Sequence, residues 1–310
     1  VTENAPLFND LATGPEGGRA FWVTARDGLR LRLAIWPAGP RGSVLILPGR
    51  TEFVEKYGRA ARDFAARGYG VITLDWRGQG LADRPVGKPM LGDVEDFLFY
   101  QWDLQAVLEK LDELGIAPPQ HLVSHSMGGC IALRALVAGL AVKAAVFSAP
   151  MWDIEFGHFA GIVRGVARGG TALGLGPRFA PGTSDETYVL GQKFAGNLLT
   201  RDAETYGWLQ AQARARPELN LGGPSLQWLD AALRECRDLA RLPSPDVPAL
   251  CVLGGAERIV APAAIHARMA RWPGGTLEVI PNAEHEVMME IPASRTRFFD
   301  GAAALFAAHP

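Results

Sequence analysis

Apolar positions along the chain follow two rhythms that take turns. Residues 20–38, AFWVTARDGLRLRLAIWPA, alternate apolar and polar on either side of Asp27-Gly28. That pattern predicts two strands joined by a tight turn. Further on, the alternation gives way to continuous apolar runs: GSVLILPG (42–49), YGVITLDWRG (69–78), HLVSH (121–125) and AAVFSAP (144–150). Between them lie stretches with apolar residues at helical spacing, VEKYGRAARDFAARG (54–68) and residues 95–114, the second stopped by Gly115. Strands apolar throughout, alternating with amphipathic helices, predict a mostly parallel α/β sheet covered on both faces.

From Met151 to about Asp238 no strand–helix alternation can be read. Glycines, aromatics and arginines are mixed there through helical stretches. The rhythm resumes with ALCVLGG (249–255), a helix PAAIHARMARW (262–272), a strand TLEVIPN (276–282) and a closing helix from Pro292 to Ala308. The organisation expected is an α/β body, residues 1–150 and 239–310, interrupted by a helical insertion at 151–238.

One junction in the body carries chemistry. In HLVSHSMGGCIAL (121–133) an apolar strand runs directly into an apolar helix, with Ser126 between the small residues Ser124 and Gly128. A turn this sharp strains its central residue and lifts the Ser126 hydroxyl onto a helix N-terminus, the geometry of a nucleophile elbow. A serine hydroxyl needs a base, and the base an orienting acid; behind an elbow of this kind the chain order is Ser, then Asp or Glu, then His. Of six histidines, only His285 lies in a loop just past the last strand, where catalytic groups of a parallel sheet collect. Glu257, three residues after Gly254, is the matching acid; Asp153, after AAVFSAP, is the alternative, and Asp246 is on the wrong side of its strand. The oxyanion hole takes one backbone N–H from Met127 and one from Arg50, because Pro48 has none to give.

Composition sets limits. Thirty-one basic against 33 acidic residues leave a net charge of -2, which gives no reason to expect nucleic acid as a partner. Cys130, Cys236 and Cys251 form no ligand or redox spacing, which points to a reducing, cytoplasmic setting. No basic region followed by an apolar run marks a secretory signal at the start. The uncharged run from Leu114 to Leu133 holds Pro118, Pro119, Gln120 and two histidines, so it is not read as a membrane helix.

LPGRTEFVEKYGRAARDFAARGYGVITLDWRGQGLADR (47–84) together with SHSMGG (124–129) resembles the monoacylglycerol lipase and lysophospholipase group of serine α/β-hydrolases. That group carries an H-G-x-x-E loop, a D-x-R-G-x-G-x-S turn and G-H-S-M-G-G. NLLTRDAETY (197–206) and LNLGGPSLQWLDAALRE (219–235) are similar to its bacterial lysophospholipase branch. The likeness runs from Phe21 onward and departs at Pro48, Ser124 and Glu257. It implies an α/β-hydrolase fold with a helical cap, a triad of Ser126, Glu257 and His285, and no metal or organic cofactor. By the same likeness Glu52 and Arg77 brace the loops near the site, while Asp75 holds loop backbone. Trp76 and Tyr57 are read as packing.

The reaction expected is hydrolysis of carboxylic esters through an acyl-enzyme, with a lysophospholipid or monoacylglycerol as substrate. Small esters, C–C hydrolysis or acyl transfer on the same fold, and a non-catalytic binding protein, stay open. Residues Phe156 to Leu175 are apolar and small, with Arg164 and Arg168 on one helical face. They read as a cap helix, packed on the body or touching a membrane surface.

Overall fold

A computed structural model describes residues 3–310 of the chain. Nine strands form one sheet: β1 (Asn4–Ala5), β2 (Arg19–Thr24), β3 (Arg30–Trp36), β4 (Ser43–Leu47), β5 (Gly70–Asp75), β6 (His121–His125), β7 (Ala144–Ser148), β8 (Ala249–Gly254) and β9 (Gly275–Ile280). Their order is β1-β2-β3-β5-β4-β6-β7-β8-β9. β2 and β3 are the expected hairpin, with Thr24 opposite Arg30 and Gly28 at a positive φ of 86°. β1 adds an antiparallel edge that the alternation did not announce. From β5 through β4 to β9 every pairing is parallel.

Strands β4 to β8 are buried along their whole length, which is why their sequences are apolar without alternation. Leu45 and Leu47 enter one core with Ile72, Leu122 and Phe147; Val44 and Ile46 enter the other with Val71, Val123 and Val146. On the first face lie helices α3 (Leu98–Glu113) and α4 (Met127–Val137); on the second lie α2 (Gly58–Ala65) and α10 (Pro292–Ala308), whose Phe299 and Phe306 meet Phe64. A four-residue helix α1 (Asn9–Ala12) and helix α9 (Pro262–Met269) complete the body. α3 starts three residues later than the periodicity suggests, where Asp96 accepts the Leu98 N–H at 2.9 Å.

Between β7 and β8 the chain is helical: α5 (Ala160–Ala172), α6 (Tyr188–Gly191), α7 (Ala203–Ala215) and α8 (Leu226–Arg241). Asp202 caps α7 and Ser225 caps α8, each accepting a backbone N–H of the first turn. α8 runs on to Arg241, past the expected end of the insertion near Asp238, and leads back to β8. It docks on α4 through Arg134 and Glu235, paired at 2.6 Å. α5 packs on α8 but buries only Ala167 completely, and carries glycines at 161, 165, 169 and 170.

Candidate active site

β4 is flanked by β5 on one side and β6 on the other, so the chain departs in opposite directions from its carboxyl end. Such a switch point leaves a crevice between the loops that follow the two strands. Residues 48–53 form one loop and Ser126 stands at the head of the other.

Ser126 adopts φ 49°, ψ -119°, a strained backbone for a residue with a Cβ. Its N–H donates to the Ser148 carbonyl at 3.1 Å, and its own carbonyl accepts from Gly129 and Met151, both at 2.8 Å. The motif's small residues have separate reasons. A Cβ on Gly128 would sit 2.1 Å from the Leu47 carbonyl oxygen, so β4 forbids a side chain there. Ser124 is fully buried, and its hydroxyl has no hydrogen-bond partner among the described residues.

His285 Nδ1 donates to Glu257 Oε2 at 2.7 Å. The other carboxylate oxygen, Oε1, accepts the N–H groups of Ile259 at 2.7 Å and Val260 at 3.1 Å. The carboxylate partner assigns the proton to Nδ1 and leaves Nε2 as the basic nitrogen. Burial acts to raise the Glu257 pKa, but the His285 ring and the two amides outweigh it and hold the carboxyl below its usual range. Burial likewise acts to lower His285, and the charge and hydrogen bond of Glu257, with Glu286 and Glu52, bring it out above its ordinary 6.5. Asp153, the alternative acid, instead pairs with Arg164 at 2.8 Å and accepts the Ile154 N–H at 2.9 Å. That pairing also neutralises one of the two arginines on α5.

The loop after β4 is fastened from beneath. Glu52 accepts the Gly49 N–H, the Tyr57 hydroxyl and the Lys56 ammonium, and the Gly49 Cα faces the Glu52 carboxylate. Tyr57 is therefore a polar brace as well as packing. With Gly49 engaged and Thr51 N–H bound to Gln79 at 3.1 Å, the Arg50 N–H has no acceptor among the described residues. The Met127 N–H, first in α4, also has none. Asp75 accepts Val54 and Leu81 N–H groups and pairs with Arg32; Arg77 joins Asp103 of α3 to Asp27 of the hairpin turn. Trp76 donates to the Pro48 carbonyl at 2.9 Å.

Sequence patterning missed the group behind this loop. Lys56 lies 2.5 Å from both Glu52 and Glu286, and His125 Nε2 is 3.4 Å from Glu286 and 3.7 Å from Glu52. Glu52, His125 and Glu286 offer ligand atoms within 4.8 Å of one another, and the Lys56 ammonium already supplies the positive charge among them. Glu286 follows His285 directly, the one local sign that could have drawn attention to it.

Residues 38–292 match the Hydrolase_4 family, described as serine aminopeptidase, S33. The chain belongs to this family. The probable lysophospholipase L2 of Haemophilus influenzae is 31% identical over 256 residues, 81% of this chain and 79% of that protein. Lysophospholipase L2 of Escherichia coli K12 is 28% identical over 268 residues, 82% and 76% of the two chains. Among solved structures, a soluble variant of monoglyceride lipase from Saccharomyces cerevisiae, bound to a substrate analogue, superposes with a TM-score of 0.71 at 19% identity, over 93% and 94% of the two chains. A carboxyl esterase from Bacillus coagulans gives 0.73 at 15%, over 95% and 99%. At these identities the likeness to the solved structures is one of fold, the α/β-hydrolase fold.

In this Hydrolase_4 chain Ser126, His285 and Arg50 line one cavity of about 810 Å³. α5, α8 and the loop after β8 give it an apolar wall that includes Ile162, Val166, Leu226 and Val260. Thr183, Ser184, Glu186, Thr187, Gln192 and Asn220 give it a more polar one. The histidine loop is tied to the insertion: His285 and Glu286 N–H groups donate to the Leu198 and Leu199 carbonyls at 3.2 and 2.8 Å, and Thr200 to Met289 at 2.9 Å. The segment NLLT thus fixes the loop that bears His285.

Proposed function

We propose that this chain hydrolyses carboxylic esters of single-chain lipids, a lysophospholipase or monoacylglycerol lipase activity, through an acyl-enzyme on Ser126. The Glu257–His285 hydrogen bond, facing the same cavity as a strained Ser126, is the observation that carries this reading. His285 Nε2 takes the Ser126 proton as Oγ attacks the ester carbonyl. The N–H groups of Arg50 and Met127 stabilise the oxyanion as it develops. The tetrahedral intermediate expels the alcohol, which receives the proton from His285. Water, deprotonated by the same imidazole, then releases the fatty acid and restores Ser126. Glu257 keeps the imidazole in the productive tautomer and stabilises its charged form.

The domain division proposed is a hydrolase body of residues 1–150 and 239–310 under a cap of residues 151–238. Ile162 and Val166 line the cavity and are also 64% and 43% exposed, so the apolar wall continues to the outside. Phe159 and Leu173, at either end of α5, are more exposed still. An apolar rim of this kind suits uptake of a lipid from a membrane surface. No helix among the described residues is long and apolar enough to cross a membrane.

The test is labelling with a fluorophosphonate followed by peptide mapping, beside a turnover panel of lysophospholipids, monoacylglycerols and short esters. The adduct is expected on Ser126, with Ser126→Ala and His285→Ala both unlabelled and close to inactive, since the two side chains act as a unit. Full turnover by Ser126→Ala would end the proposal.

A further inference from the structure

Among the buried or half-buried arginines of the body, Arg50, Arg84 and Arg268 have no carboxylate partner among the described residues, and of these Arg50 lines the cavity. Arg32 pairs with Asp75 and Glu55, Arg77 with Asp103 and Asp27, and Arg134 with Glu235. The Arg50 guanidinium has no carboxylate within ion-pair distance among the described residues, yet it is held in place. One terminal nitrogen, Nη2, donates to the Gly222 carbonyl at 2.7 Å, and its Cζ lies 5.2 Å from the centre of the Trp228 ring. Gly92 makes room for it, since a Cβ there would fall 2.4 Å from Nη2. Its Nε is buried without any acceptor. Burial lowers its pKa to about 10, which leaves it charged at neutral pH.

A desolvated cation without an anion is costly; Arg84 and Arg268 are each surrounded by three or more carbonyl or hydroxyl acceptors, whereas the Arg50 guanidinium has the Gly222 carbonyl alone. Lys56 is the other cationic side chain of Lys or Arg type on the cavity wall, and Glu52 and Glu286 already occupy it. Arg50 is thus the free positive charge facing the substrate space.

We propose that the Arg50 side chain is a specificity determinant, binding the phosphate of a lysophospholipid whose ester carbonyl is held by the Arg50 main chain. The inference rests on the ester-hydrolase reading above and selects among its substrates. Chain lengths support it. Six covalent bonds separate the Arg50 amide nitrogen from its Cζ, and six separate the carbonyl carbon of a 1-acyl glycerophospholipid from its phosphorus. Each path spans about 7 Å when extended. With the carbonyl oxygen on the amide, the phosphate can therefore lie alongside the guanidinium, whose planar fork matches two phosphate oxygens. Ser184 and Asn220 add polar groups to the same wall. A monoacylglycerol with the same acyl chain has only a hydroxyl to offer at that position.

The experiment compares kcat/KM for 1-palmitoyl lysophosphatidylethanolamine and for 1-palmitoylglycerol, in the same non-ionic mixed micelles, in wild type, Arg50→Met and Arg50→Lys. The ratio of the two cancels any disturbance of the oxyanion loop, because both substrates use it. Wild type should favour the phospholipid. Arg50→Met should lower the ratio roughly ten- to hundredfold, the worth of a charge-assisted hydrogen bond, and Arg50→Lys should fall between. Glycerol 3-phosphate should inhibit wild type competitively and lose potency against Arg50→Met, a change that a merely structural role would not produce. If Arg50→Met fails to fold, Arg50→Lys and the inhibition of wild type carry the comparison. Equal losses on both substrates, or no inhibition by glycerol 3-phosphate, overturn the phosphate subsite and leave the hydrolase reading standing. A wild-type chain that turns over neither lipid overturns the hydrolase reading, and the subsite falls with it.

Discussion

The ring of His125 lies 4.7 Å from the ring of His285, tilted by 53°. Their surroundings tune the two imidazoles in opposite directions. Burial, with help from His285 and Lys56, lowers His125 despite two nearby carboxylates, whereas Glu257 wins over burial and raises His285. On the mechanism proposed, His285 and not His125 is the ring that accepts the proton.

The raised pKa of His285 has a direct kinetic sign. Imidazolium cannot accept the Ser126 proton, so activity is lost as pH falls through the His285 value. The acid limb of kcat/KM should therefore lie above the ordinary 6.5. Glu257→Gln removes the main raising cause, so the limb should move to lower pH while kcat drops by up to about 10⁴-fold, by analogy with serine proteases. Asp153→Asn should change neither by much, because Arg164 already holds that carboxylate. A pH–rate profile for the three proteins decides the acid.

Glu286 is predicted to tune rather than to react. His125 Nδ1 donates to the Ser148 carbonyl at 3.1 Å, so in the neutral ring Nε2 is a lone pair facing Glu286 Oε2, which has no partner. Glu286→Gln supplies a donor for that nitrogen and removes one of the charges that raise His285. The acid limb should shift to lower pH with kcat reduced far less than in Glu257→Gln. An unchanged limb would show that Glu286 does not influence the base.

Ser124 stands where the family motif has glycine, and its orphaned hydroxyl is a cost. A buried polar group without a partner is worth about 1–3 kcal/mol of lost stability. Ser124→Ala should raise the urea midpoint by about 1 kcal/mol equivalent at unchanged activity. Gly128→Ala should do the reverse, since Leu47 blocks its Cβ. Equilibrium unfolding curves with equal slopes would establish both.

Acyl preference should report on the apolar wall. Each buried methylene contributes about 0.8 kcal/mol, roughly fourfold in affinity. A p-nitrophenyl ester series should climb in kcat/KM from acetate to medium chains until the cavity is filled. Ile162→Asp or Val166→Asp should flatten the climb and spare acetate. If acetate is the best substrate from the outset, a small-ester hydrolase describes the protein better.

Pattern and spacing were good guides wherever local sequence determines the outcome. The hairpin at Asp27-Gly28, the buried strands β4 to β8 and the pairing of Glu257 with His285 all follow signals contained in short stretches. What stayed hidden depends on distance along the chain. Lys56 and Glu286 are 230 residues apart, and no period marks a buried charge whose partner is remote. Arg50 was legible as a main-chain donor only, because Gly92 and Gly222 come to its side chain from other loops and Trp228 from α8. In the insertion, α5 turns apolar residues toward the cavity and the outside at once, so its pattern could not say which side was packed.

The glycines of α5 give the cavity a wall that is easy to undo. Four of its residues lack the side chain that favours helix, each at a cost of about 1 kcal/mol against alanine. Three of them, Gly161, Gly165 and Gly169, have open space around them, so crowding does not account for their choice. α8 beneath is capped, salt-bridged to α4 and buried on one side. Thermal agitation should therefore open the molecule along one seam, peeling α5 away while the catalytic loops stay assembled. Amide protons of residues 160–172 should exchange with deuterium well before those of α8, and Gly161→Ala with Gly165→Ala should slow both that exchange and the entry of long-chain esters. Entry would then be governed by a helix kept deliberately close to melting, with no hinge in the backbone required.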